Sequence, residues 1–303
     1  MIINSNSNEL DDRCSPLGGQ AVIEGVMMRS KKKISVAVRN PEGEIIVKSD
    51  PFQSWTEKYK ILGLPFIRGI VSLIETLVIG IRTLNYSAEI SIEEVKEENK
   101  FMTTISLIIG ILLAILLFLG LPAFVFTVLK KYIQNIVLLN LIEGGFRVTL
   151  FLIYLWAISF SNDIKRVFQY HGAEHKTIFT YESGEELTVE NARKYSPLHP
   201  RCGTSFILLT LVISIVLFSF LGRSPTWLIR IISKISLLPV VAGISYELIK
   251  QAGKIKKHSK NILVLLSYFL TLPGIWLQKL TTREPDDKQL EVAIVSLKNV
   301  LER

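Results

Sequence analysis

Residues 101–129, FMTTISLIIGILLAILLFLGLPAFVFTVL, run for 29 positions without a charged side chain. As a helix this stretch is about 43 Å long, more than the roughly 30 Å of hydrocarbon in a bilayer. Backbone in hydrocarbon must satisfy its N–H and C=O groups internally, so the run dictates a membrane helix. Three further segments read as spans, at 136–160, 205–221 and 227–249. The second is interrupted near its start by Glu143-Gly144-Gly145 and Arg147. The last carries Arg230 and Lys234 early and Glu247 late, charges that need protein partners or headgroups. A final apolar run, NILVLLSYFLTLPGIWLQKL, contains Pro273-Gly274 and reads as a re-entrant or interfacial helix rather than a fifth crossing.

Composition agrees: 49% of the 303 residues are hydrophobic and the net charge is +8. A basic excess of this size also suits nucleic-acid binding, but no zinc finger, RNP motif or basic heptad is present, and nucleic acid is excluded as a partner. The charges mark topology instead. The 161–204 connection has six Lys or Arg and 250–260 has five lysines, against two and one in the 130–135 and 222–226 connections. The basic loops, and with them the N-terminus and tail, are expected on the cytoplasmic side of the cell membrane. Residues 1–20 have no apolar core, so no cleavable signal peptide is expected. Cys14 and Cys202 lie far apart and give no disulfide framework.

Short strands are expected at 20–29, 33–39 and 44–49, the last two joined by a turn at Asn40-Pro41-Glu42-Gly43. Residues 61–86 read as an interfacial helix with Arg68, Ser72, Glu75 and Arg82 on one stripe. Asp286 and Gln289 form a capping pair for a tail helix. The fold class is therefore mainly α: a polytopic membrane protein of about four spans with interfacial or re-entrant helices and a small N-terminal β-element. Four regions follow: 1–56 with the β-element, the amphipathic 57–100, the membrane domain 101–280 with a His/Cys loop at 161–204, and the tail 281–303.

Of four histidines, three fall between 171 and 202, with Cys202. His171 and His175 are four apart and share a helix face, so both can ligate one divalent ion, most economically zinc, with Glu174 placed to act as a base on a water there. The H-x-x-E-H spacing matches the inverted zinc-protease signature, although nothing else in the chain resembles those enzymes. Gly172 weakens a helix through the motif. PLHPRCGTS supplies further ligands: Pro197 and Pro200 restrain His199, and Cys202 starts a span, where a helix N-terminus favours thiolate. Blander roles compete. The histidines can contact headgroups, Cys202 can be a small buried residue, Glu174 can hold a histidine tautomer, and Glu75 can pair with Arg68 or Arg82. Glu24 can face water, Glu247 can pair with Lys250 or add a ligand, and His258 can touch headgroups.

The motifs GGQAVIEGVMMRS, YHGAEHK, HPRCGTSF and TTREPDD resemble, in order and spacing, the YqhQ-like family of bacterial and plastid membrane proteins, which carries the label of metal-dependent enzymes. The resemblance extends from Pro16 to Leu301, implies a membrane location, and adds Glu24 and Glu284 to the site candidates. It names no substrate. Three readings follow. One is a metal-dependent, hydrolase-like enzyme acting on a membrane-linked substrate. The second is a non-enzymatic assembly or scaffold protein with a membrane-protein partner. The third is a transporter marked by Arg68, Glu75, Arg82 and Glu143.

Overall fold

The computed structural model describes residues 17–91, 100–199, 202–222, 226–252 and 262–302; Cys14, Pro200 and His258 lie outside them. Four strands, β1 (Gly18–Val22), β2 (Gly25–Arg29), β3 (Lys33–Arg39) and β4 (Ile45–Pro51), pair in sequence order as an antiparallel meander. The single strand expected at 20–29 is a hairpin, turned at Ile23-Glu24 with Val22 opposite Gly25. Glu24 occupies the left-handed region at φ +50°, which costs a non-glycine residue about 1–2 kcal/mol. Its carboxylate is compensated by a two-pronged pair with Arg166 and accepts from Tyr170 Oη at 3.3 Å. The expected turn at 40–43 is present: Gly43 N–H donates to Asn40 O at 3.0 Å with Gly43 at φ +91°.

The helices are α1 (Trp55–Lys58), α2 (Ile67–Ser91), α3 (Lys100–Ile115), α4 (Leu121–Leu129), α5 (Ile136–Ile158), α6 (Asn162–Glu182), α7 (Val189–Arg193), α8 (Gly203–Ser219), α9 (Trp227–Ala252), α10 (Ile262–Thr281) and α11 (Asp287–Leu301). A π-helical turn, Leu116–Gly120, joins α3 to α4. Among the described residues three helices are long and apolar enough to cross a membrane: Thr104–Leu129, Ile136–Ile158 and Trp227–Lys250. The fourth expected span, α8, has 17 residues and falls just short of that length. It nevertheless lies antiparallel to α5 through the same layer. Its first turn is beside His171, and at its other end Asn140 Nδ2 donates to Ser219 O and Leu221 O, both at 3.0 Å.

The sheet is covered on both faces. Val26, Met28 and Ala37 pack against Tyr170, Ala173, Leu290 and Leu297 of α6 and α11. On the other face Val22, Met27, Val36 and Val38 meet Ile79, Leu84 and Ile90 of α2. Each fully buried Val, Leu or Met is worth roughly 1.5–3 kcal/mol, so this small sheet holds two helical layers together. Asp286 and Gln289 form the expected capping box at α11.

Three expectations change. Helix α5 is continuous through Glu143-Gly144-Gly145 because Glu143 and Arg147 pair within the protein, and bare Gly144 admits Ile215. Glu75 pairs with neither Arg68 nor Arg82. It is buried and accepts Trp55 N–H at 2.8 Å and Ser54 Oγ–H at 3.0 Å, holding the start of α1. The 161–204 loop is largely helix, since α6 runs through the histidine motif despite Gly172.

Candidate metal centre

Helix α6 sets out the cluster. Residues 171 and 175 are one turn apart, so both imidazoles leave the helix on one side, with ring centroids 4.4 Å apart. His171 Nδ1 lies 2.8 Å from Thr281 O, a carbonyl at the end of α10, and His175 Nδ1 lies 2.5 Å from Pro197 O. A carbonyl oxygen only accepts, so each Nδ1 carries a proton, and in the neutral ring Nε2 is then left with its lone pair. His171 Nε2 is 3.1 Å from Cys202 Sγ. Cys202 caps α8, its sulfur receiving the Thr204 N–H at 3.4 Å. One donor atom from each of His171, His175 and Cys202 lies within 4.8 Å of the other two. Zinc bonds of about 2.0–2.3 Å to nitrogen and sulfur imply tetrahedral edges of about 3.3–3.8 Å, so the set reaches that geometry with small side-chain shifts. Two imidazoles and a thiol also match zinc's borderline softness.

Gly172 has a packing reason. A Cβ there would collide with Arg283 O, and only bare backbone lets the 281–283 segment lie against α6, where Arg283 N–H donates to Phe168 O at 2.9 Å. The same approach delivers Thr281 O to His171.

Glu174 is buried at 6% exposure and faces β1, where the Gly19 N–H donates to its carboxylate. Burial pushes its carboxyl up, opposed by His171, His199 and that N–H. A Cβ at Gly19 would stand 2.6 Å from Glu174 Oε1, so the glycine makes room for the acid. Burial likewise lowers His175, against the raising influence of Cys202.

The other candidates are dispersed. His199 stands at the edge of the cluster, its ring 5.6 Å from that of His175 and 4.4 Å from Phe179, with Nε2 3.6 Å from Glu182 Oε2. Burial lowers it to about 4, with Glu174 opposing. Its backbone is clamped by Gln278, which accepts His199 N–H at 2.8 Å and donates to His199 O at 2.9 Å. Glu247 pairs with Arg68 rather than Lys250 or the cluster, fastening α9 to α2. Glu24 sits at the hairpin turn with Arg166. Glu284 is exposed and meets buried Lys176 at 2.8 Å. Arg68, Glu75 and Glu143 each have separate partners and do not form one polar path.

Sequence reasoning missed Gln278 and the roles of Gly19, Thr281 and the Pro197 carbonyl. Three of them act through backbone groups or the lack of a side chain, which residue type does not reveal.

Residues 64–303 match the family described as "Protein of unknown function (DUF1385)". The chain belongs to that family. It is also 38% identical over 298 residues to the uncharacterized protein YqhQ of Bacillus subtilis (strain 168), covering 94% of this chain and 92% of the relative. No solved structure matches it. The DUF1385 match takes in α2 to α11, and so every side chain of the His/His/Cys group, while the sheet that supplies Gly19 precedes it.

Proposed function

We propose that this chain is a metal-dependent, hydrolase-like membrane enzyme whose centre lies at the cytoplasmic membrane face. His171, His175 and Cys202 would be the ligands, with zinc the best-suited ion. The observation that carries the reading is the pair of backbone-anchored Nδ1 atoms. Anchoring of this kind fixes tautomer and ring direction in metal-binding histidines, and it leaves both Nε2 atoms turned toward one thiol. Such an ion would supply Lewis acidity at the cluster. Glu174 would take a proton there, a role suited by the upward push of burial on its carboxyl. Gly19 would orient that acid. The place of the cluster, between the sheet layers and the membrane helices, favours a lipid-linked or membrane-proximal substrate.

The test is metal content by plasma mass spectrometry on detergent-purified protein after mild chelator washing. About one ion per chain in the wild type, little in His175→Ala and full content in Glu174→Gln is the expected pattern. A wild type that stays metal-free after reloading with zinc, iron or manganese would sink the reading.

A second reading, favoured by the 2% and 8% exposures of His175 and Cys202, is a structural ion in a non-enzymatic assembly protein. Cobalt(II) substitution separates the two. Azide or a hydroxamate shifts the visible d–d spectrum if a coordination position is open and leaves it unchanged if the site is closed.

A further inference from the structure

At the end of the membrane layer away from the histidines lies a charge cluster that the metal centre does not use. Glu143 and Arg147 on α5, and Arg230 and Lys234 on α9, are each exposed by no more than 4%. Glu143 Oε2 accepts from Arg230 Nε at 2.9 Å and Nη2 at 2.6 Å, Oε1 receives Lys234 Nζ–H, and Arg147 Nη2 stands 3.8 Å from that same oxygen. Among the described residues no other carboxylate lies within ion-pair distance of these three cations. Three positive charges thus face one negative charge inside a layer of helices.

Arg230 is well supplied with acceptors, donating to Asn140 Oδ1 and, at 3.4 Å, to Gly222 O, with Phe126 under its guanidinium. Arg147 and Lys234 are not. Arg147 gives Nε–H to Phe118 O at 3.1 Å, in the π-helical turn, and reaches Ser214 Oγ only at 3.5 Å. Lys234 has three N–H bonds, and Glu143 is its single hydrogen-bonded partner among the described residues. Both cations converge on Glu143 Oε1 and on the Phe218 ring of α8, at 5.2 and 5.6 Å from its centroid. A ring face offsets about 1–2 kcal/mol of a buried cation's cost, whereas unpaired burial costs several kcal/mol per ion.

We propose that Arg147 and Lys234 together bind a small inorganic anion of the halide class. The near-zero exposure of the cluster leaves no opening for a lipid headgroup, and a weakly hydrated monovalent ion is cheaper to desolvate than phosphate. The site is independent of the metal centre.

Equilibrium binding of radiolabelled chloride to the full chain, purified in detergent and exchanged into gluconate, tests this. The expected result is about one chloride per chain, displaced by bromide, with binding weakened about tenfold or more in Lys234→Met and in Arg147→Gln. Arg193→Gln, a surface control, should bind as the wild type. Absence of saturable binding in the wild type, or unchanged binding in both cluster variants, overturns the proposal. The wild-type thermal midpoint gives a second measure that does not depend on the variants folding. A saturable rise with chloride at constant ionic strength supports the site, and identical midpoints in chloride and gluconate overturn it.

Discussion

Gly172→Ala sets two effects of opposite sign against each other. In a helix interior alanine is better than glycine by about 1 kcal/mol, so propensity alone predicts that the variant is more stable. Packing predicts the reverse. A Cβ at 172 would press on Arg283 O, with Arg283 C at 3.3 Å and Pro197 Cβ at 3.4 Å behind it. That segment cannot easily retreat, because Arg283 N–H is bonded to Phe168 O at 2.9 Å and Glu284 to Lys176 at 2.8 Å. Overpacking costs about 1–3 kcal/mol, and losing one or two of these hydrogen bonds adds about 1 kcal/mol each. The balance is about 2 kcal/mol of destabilisation, or about 4 °C in thermal midpoint for a chain of this size. Moving the segment also withdraws Thr281 O from His171, and loss of such an anchor typically weakens metal binding 10–100-fold. Differential scanning fluorimetry and a chelator-competition titration read the two effects separately. A variant with a higher midpoint and unchanged metal retention would refute the reasoning.

Three other outcomes are expected. Gln278→Leu strips two partners from the buried backbone of His199 and should cost about 2–4 kcal/mol in thermal or denaturant unfolding, far more than a surface glutamine would. Glu284→Gln removes an exposed partner and should leave metal content unchanged and stability within about 1 kcal/mol, whereas a role for Glu284 as ligand demands metal loss. Metal retention should fall as pH drops, since proton and ion compete for the same His175 nitrogen. Burial lowers His175, which places its competition below the ordinary histidine range, and metal analysis of dialysed samples from pH 7.5 to 4.5 would follow it.

What was legible in the sequence was what local pattern encodes. Charge-free length announces the 104–129 crossing, proline and glycine announce the turn at 40–43, and Asp286 with Gln289 announces the start of α11. The concentration of histidines near Cys202 pointed to the cluster because i, i+4 spacing is itself a geometric statement. Pairings across the chain were hidden. Nothing near Glu247 in sequence indicates Arg68, 179 positions away, and the donors to Glu75 come from a helix start about 20 positions upstream. The hairpin at Ile23-Glu24 was missed because a non-glycine residue at positive φ is held there by Arg166, not by turn chemistry. Gly172 misled for a related reason: its helix cost is real, but the approach of Arg283 outweighs it.

The two groups that aim the histidines belong to the main chain. Replacing the side chain at 197 or 281 leaves a carbonyl in place, so a saturation scan of single substitutions would map the ligands and stay largely blind to what orients them. Register is the exposed parameter. A one-residue insertion between Gln278 and Thr281 would rotate the end of α10 by about 100° and carry its carbonyl away from His171 while every side chain of the cluster remained.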